Sequence, residues 1–172
     1  MEIRLLTEDD APAYQTLRLR ALREHPESFG PSFEEEQTHS IEQVARYLCE
    51  GLPHSFTLGA LLDGQLVGIV TLSRFARRKT RHKAMVGGMY VAPEVRGQSI
   101  GRALLAAVIA RAQAMDGLED VTLAVTVGNA AARTLYVGAG FVSYGVEPRY
   151  IKVDQQYFDI EWMILHLAPS AV

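Results

Sequence analysis

The chain has 172 residues, a net charge of −3 at pH 7, and 48% hydrophobic against 22% charged residues. That is the balance of one soluble globular domain, and it excludes intrinsic disorder. Fourteen glycines and seven prolines exclude collagen-like and low-complexity chains, and a single cysteine, Cys49, excludes an internal disulfide or a thiolate metal site.

A pI near 5.9 gives no global field for nucleic acid. The longest apolar-rich stretch, Ile100 to Met115, is interrupted by Arg102, Arg111 and Gln113 and is shorter than the ~20 residues a membrane span needs. The opening Met1-Glu2-Ile3-Arg4 lacks the apolar run of a signal peptide. The expectation is a cytoplasmic protein with no membrane or nucleic-acid partner. A single domain is expected over residues 1–168, with a short tail at 169–172.

Residues 2–6 alternate around Ile3 and Leu5 and predict a first strand. Thr7 and Asp10 have capping-box spacing, Leu17, Ala21 and Leu22 give a helical stripe, and Pro26 ends it. Residues 25–35 hold two prolines and a glycine and read as a loop, followed by a helix from Ser40 to Cys49. Ser55–Leu62 and Leu66–Leu72 flank Asp63-Gly64, a hairpin signal. The basic run Arg74–Lys83 reads as a hairpin loop before a fourth strand, Met85–Val91. A helix over Ile100–Met115, a β-branched strand Val121–Val127 and a short helix from Asn129 to Val137 come next. Phe141–Tyr150 and Phe158–Leu167 predict a last antiparallel pair.

The order β-α-α-β-β-β-α-β-α-β-β predicts an α/β fold. Its strand–helix–strand unit over residues 85–127 requires a parallel, right-handed crossover, whereas the hairpins are antiparallel, so the sheet is mixed.

The most informative stretch runs from Val91 through Arg96-Gly97-Gln98-Ser99-Ile100-Gly101-Arg102-Ala103. A strand ends, a glycine turn follows and a helix begins, which is the physical recipe for a phosphate cradle. First-turn N–H groups lack intrahelical partners at the positive end of the helix dipole. Gly97 and Gly101 let a ligand approach the backbone, and Arg96 and Arg102 add positive charge. Arg102-Ala103 stands where a Walker A loop needs Lys-Ser/Thr, and no G-x-G-x-x-G fingerprint is present.

Gln98-x-x-Gly101-x-Ala103 resembles the Q/R-x-x-G-x-G/A pattern of the GCN5-related N-acetyltransferases. Asn129-x-x-Ala132-x-x-Leu135-Tyr136-x-x-x-Gly140-Phe141 is similar to that family's second signature. The element order fits as well, so the resemblance covers nearly the full chain. It implies an acyl-CoA N-acyltransferase-like fold, mostly antiparallel, with a parallel fourth and fifth strand that splay apart. It also implies acetyl-CoA as cosubstrate, with no metal, and acetyl transfer by direct attack of an amine, carried by a small molecule or by a protein or peptide. Under it the amides of Gln98 to Arg102 hold the pyrophosphate. The backbone of Met89 and Val91 pairs with pantetheine.

Asn129, Arg133 and Tyr136 fall on one helical face toward the cofactor, with Tyr136 as proton donor to the leaving sulfur. The fourth strand, Met85-Val86-Gly87-Gly88-Met89, carries no acid, so the base is open among Glu34, Glu35 and Glu36. Tyr144, Tyr150 and Tyr157 are further candidates for the acceptor pocket. The five histidines have no metal-ligand spacing. The competing expectation is a catalytically inactive acyl-CoA-binding or regulatory module of the same fold. The acceptor's identity and the oligomeric state are open at this stage, a homodimer through the last strands being one expectation.

Overall fold

A computed structural model describes residues 1–167; the expected tail at 169–172 lies outside the described residues. Seven strands form one sheet in the order β1-β2-β3-β4-β5-β7-β6. They are β1 Glu2–Leu5, β2 Ser55–Leu62, β3 Gln65–Arg74, β4 Lys83–Val91, β5 Asp120–Thr126, β6 Val142–Val153 and β7 Gln156–His166. The helices are α1 Ala11–Glu24, α2 Phe33–Glu36, α3 Ile41–Glu50, α4 Ile100–Gln113 and α5 Ala130–Gly138. All neighbouring strands are antiparallel except β4 and β5.

The predicted order holds with one correction. Residues 25–35 are not a plain loop: a 3-10 turn covers Pro26–Ser28, and α2 starts at Phe33. Ser32 caps α2 by accepting from the Glu35 amide, while the Glu35 carboxylate accepts from the Ser32 amide. This reciprocal box satisfies two donors that a four-residue helix would otherwise leave free.

Central β2 and β3 are buried at consecutive positions, the pattern of strands covered on both faces. Helices α1 and α4 both pack on β3, and α3 lies against α1 and β2. Leu104, Leu105 and Val108 of α4 are fully buried against this centre.

At the first turn, Asp10 takes a bidentate pair of 2.7 Å bonds from Arg4 and a third from the Thr7 amide. The Arg4 hydrogen bond, followed by the Thr7 amide, holds the Asp10 carboxyl down at about 2. A depressed acid stabilises the fold above its ordinary pKa, and this stabilisation fades as pH falls from near 3.8 to about 2. Asp10→Asn is therefore expected to cost about 2 kcal/mol at pH 7. It should also flatten the acid limb between pH 4 and pH 2, read by denaturant melts across that range.

Two features of the sheet make the cleft. Strand β4 pairs with β5 only over Lys83↔Asp120, Ala84↔Val121 and Met85↔Thr122. Beyond Met85 the two strands separate. The cause lies in β4: its register with β3 passes from Thr71↔Gly87 to Ile69↔Tyr90, so β4 carries one extra residue. Gly88 sits there at φ +60, the left-handed position of a bulge that glycine adopts without strain. The bulge bends β4 away from β5 and opens a gap toward its C-terminal end.

Candidate active site

Strand β4 ends at Val91, and residues 93–99 turn into α4. Gly97 has φ +81 and Ser99 φ +61. Arg96 is extended, and the left-handed residues Gly97 and Ser99 shape a turn ahead of right-handed α4 that leaves successive N–H groups exposed as an anion nest. The Ala103 amide donates to the Ser99 carbonyl at 3.0 Å. Among the described residues no amide from Gly97 to Arg102 meets a backbone acceptor. The turn expected to act as a cradle thus leaves its amides free as far as Arg102, whereas the Ala103 amide is committed to the helix.

A cleft of about 500 Å³ runs from this nest to Tyr136. Arg96, Gly97, Ser99, Gly101 and Arg102 line it together with Met89, Asn129, Leu135 and Tyr136. Gln98 is exposed and contributes its backbone only. A Cβ on Gly97 would meet nothing within 4 Å. A Cβ on Gly101 would instead touch Leu135, Met89 and Val91 at 3.5–3.8 Å. Gly97 is the residue at which the nest lies open, and Gly101 packs toward the cleft floor.

Ala92 donates its N–H to Val67 on β3. Backbone groups alternate along a strand, so Met89 and Val91 present theirs to the gap. The Val91 carbonyl already accepts from Arg96 Nε at 3.1 Å. Arg96 Nη2 lies 3.2 Å from His25 Nε2. The free pairing edge is therefore the groups of Met89 and the Val91 N–H.

Asn129 caps α5, its side chain accepting from the Ala132 amide at 3.1 Å. Tyr136 lines both the cleft and the β4/β5 gap. It is 8% exposed, its ring meets Phe141 edge-on at 6.2 Å, and its O–H donates weakly to Met89 Sδ at 3.8 Å. Burial pushes the phenol up to about 12, so it stays protonated and able to donate through the physiological range.

Arg133 departs from expectation. Its guanidinium donates twice to Glu161 on β7, at 2.8 and 3.2 Å, and is absent from the cleft lining. The helical spacing was compatible with a cofactor-facing side chain, but the buried carboxylate of Glu161 captures it. Arg133→Met should leave acetyl-CoA affinity within about two-fold. It should lower the melting temperature, because the Glu161 carboxylate loses its cation. Calorimetric titration beside a thermal melt checks both halves.

A second cavity, about 620 Å³, opens on the far side of the gap. Of the three candidate acids only Glu36 lines it. Glu34 is exposed, and Glu35 is spent on the Ser32 cap, which also lowers its pKa. Glu36 accepts from Arg18 Nε and Nη2 at 3.0 and 2.8 Å. Sequence periodicity missed Arg18 because it neighbours the apolar stripe of α1. Tyr14, Tyr47 and Thr71 also line this cavity. Of the three candidate tyrosines, Tyr150 reaches the gap and meets Trp162 edge-on, whereas Tyr144 and Tyr157 line neither the second cavity nor the gap.

An ion-pair network joins α1 to the turn before α4. Tyr90 on β4 donates to Glu24 at 2.6 Å, while Arg20 bonds both Glu24 and Glu94. The C-terminal turn of α1 is thereby tied to the nest-bearing turn.

A family model described as Acetyltransferase (GNAT) family matches residues 16–141. Phosphinothricin N-acetyltransferase of Alcaligenes faecalis is 30% identical over 147 residues, 84% of this chain and 71% of that protein. Among solved structures, ribosomal-protein-alanine N-acetyltransferase of Brucella melitensis superposes with a TM-score of 0.84 at 27% identity, covering 97% of this chain and 100% of that one. A GNAT superfamily phosphinothricin acetyltransferase of Sinorhizobium meliloti, solved with acetyl-CoA, gives 0.81 at 21% identity, covering 96% and 88%. Nest, splayed strands and matched span agree, and the chain belongs to the GNAT family of acetyltransferases.

Proposed function

We propose that the protein transfers an acetyl group from acetyl-CoA to a primary amine by direct attack on the thioester. The observation that carries this is the continuity of one cleft, from six unpaired amides at Gly97–Arg102 to the buried hydroxyl of Tyr136. Family membership and the curated relative support it. The nest fits a pyrophosphate, being a run of free N–H donors at a helix start, with Gly97 open to close approach.

Acetyl-CoA supplies an activated acyl carbon; the residues here orient it and manage protons. The Met89 edge of β4 offers backbone pairing along the gap. Tyr136 donates a proton to the sulfur as the carbon–sulfur bond breaks. On the acceptor side the amine must lose a proton, since free alkyl amines are protonated at pH 7. Glu36 is the best placed of Glu34, Glu35 and Glu36 to take it, directly or through water.

Thiol release from acetyl-CoA across a panel of primary amines, phosphinothricin included, tests the proposal. Acetyl-CoA binding without release on any amine would assign the chain to a binding module instead.

A further inference from the structure

We infer that the acceptor is an α-amino acid, its carboxylate held by Arg18. This rests on the acetyltransferase reading and names the substrate class of that site. Arg18 is 6% exposed, yet its Nη1 is the one buried side-chain nitrogen or oxygen without a hydrogen-bond partner among the described residues. Nε and Nη2 are fixed by Glu36, and the guanidinium lies over the Phe29 ring at 4.9 Å. The fork is immobilised, with one corner left over. A buried donor with no acceptor is costly, and charged donors more so.

The direction of that corner is set by Gly88. A Cβ on Gly88 would stand 4.0 Å from Nη1. Both residues line the acceptor cavity and also the β4/β5 gap. Nη1, itself closed to solvent, thus lies against the neck between the two, and a small parting of the surface at Gly88 brings it to the point where amine and thioester must meet. An anion bound there lies close to the attacking nitrogen. A carboxylate on the same carbon as the amine meets that requirement; one at the far end of a long acceptor does not.

Charge balance agrees. Arg18 and Glu36 form a neutral pair, and a zwitterion complements it, carboxylate toward Nη1 and ammonium toward Glu36. Tyr14, Leu19, Val44, Tyr47 and Met85 supply the apolar part of the lining, beside Gln15, His39, Gln43, Thr71 and Ser73, so an apolar side chain with room for a polar end is received there.

The test is a set of matched acceptors on the wild-type protein: each protein L-amino acid against the amine that lacks its carboxylate. L-leucine, leucinamide and 3-methylbutylamine form one such series. The amide's ammonium is the more acidic, so unassisted chemistry favours leucinamide, and a preference for the acid reports recognition. At least one amino acid should exceed its decarboxylated amine by about 10- to 100-fold in kcat/KM, the range of a charged hydrogen bond. Arg18→Met should collapse that ratio to within a few-fold of one. If Glu36 left alone unfolds it, the Arg18→Met/Glu36→Met double variant replaces the pair by apolar volume; lacking the proposed base, it is read by calorimetry, where the advantage of N-acetyl-L-leucine over N-(3-methylbutyl)acetamide beside CoA should vanish, and a retained advantage would overturn the inference.

Amines acetylated equally with or without the carboxylate would overturn this inference and leave the acetyltransferase reading intact. Failure to bind acetyl-CoA would overturn both. Should no amine turn over, calorimetry with N-acetyl-L-leucine and N-(3-methylbutyl)acetamide beside CoA decides, and equal or absent binding overturns the inference.

Discussion

Tyr136→Phe is expected to lower kcat by about 10²–10⁴, the range of a general acid, with acetyl-CoA affinity within a few-fold of wild type. The split follows from what the hydroxyl touches. Its partner is Met89 Sδ at 3.8 Å, a weak acceptor, so little binding or folding energy rests on it. The ring is the structural part, buried and edge-on to Phe141, and phenylalanine keeps it. Removing a buried hydroxyl with no strong partner removes a desolvated polar group as well as a bond, so the melting temperature should barely move. The raised phenol, at about 12, predicts that no alkaline limb from Tyr136 appears below about pH 11. Stopped assays of thiol release, with isothermal binding and a melt on the same samples, separate the three quantities. A normal turnover rate in a folded, cofactor-binding variant would remove Tyr136 from the chemistry.

Much of this site was legible in the sequence because it depends on local geometry. The nest needs a strand end, a glycine and a helix start within a dozen residues, and Val91 to Ala103 contains all three. Asn129 as a helix cap and Tyr136 two turns on are likewise local. Features that depend on partners distant in the chain were not legible. Arg18 looks like an interruption of the stripe Leu17, Ala21 and Leu22, and its burial makes sense only once Glu36 stands beside it. Arg133 has the right spacing for the cleft, but Glu161 on β7 wins it.

Two signals were present and underread. Ser32-x-x-Glu35 is a capping-box pattern, masked by the surrounding Gly30 and Pro31, and it starts α2. Gly87-Gly88 inside a strand marks a bulge, and that bulge makes the splay. The expected absence of an acid on β4 left the base open among three glutamates. Capping at Glu35 and solvent exposure at Glu34 are why Glu36 is the one proposed as base, through contacts that no spacing rule encodes.

Gly101→Val should weaken acetyl-CoA binding by about 10- to 100-fold, whereas Gly101→Ala should stay within about three-fold. The sequence suggests a clash with the pyrophosphate itself, but the structure relocates the cause. A Cβ at this position meets Leu135 Cδ2 at 3.5 Å and Met89 Cε at 3.6 Å. Those are ordinary contacts, so alanine fits. The additional methyls of valine overfill the junction of α4, α5 and β4, and overpacking of this kind costs about 1–3 kcal/mol. The side chains that must yield are Leu135 and Met89, both on the cleft wall, and Met89 also carries the edge offered for backbone pairing and touches Tyr136. Displacement of Met89 should therefore lower kcat along with affinity, as a phosphate clash alone would not. Gly97 supplies the contrast: a Cβ there meets open space, but φ +81 strains any L side chain. Gly97→Ala should thus loosen the nest and raise the Kd while leaving kcat at saturation unchanged. Titration calorimetry and saturation kinetics on the three variants distinguish the two glycines, and equal kcat in Gly101→Val and wild type would return the role of Gly101 to the phosphate end.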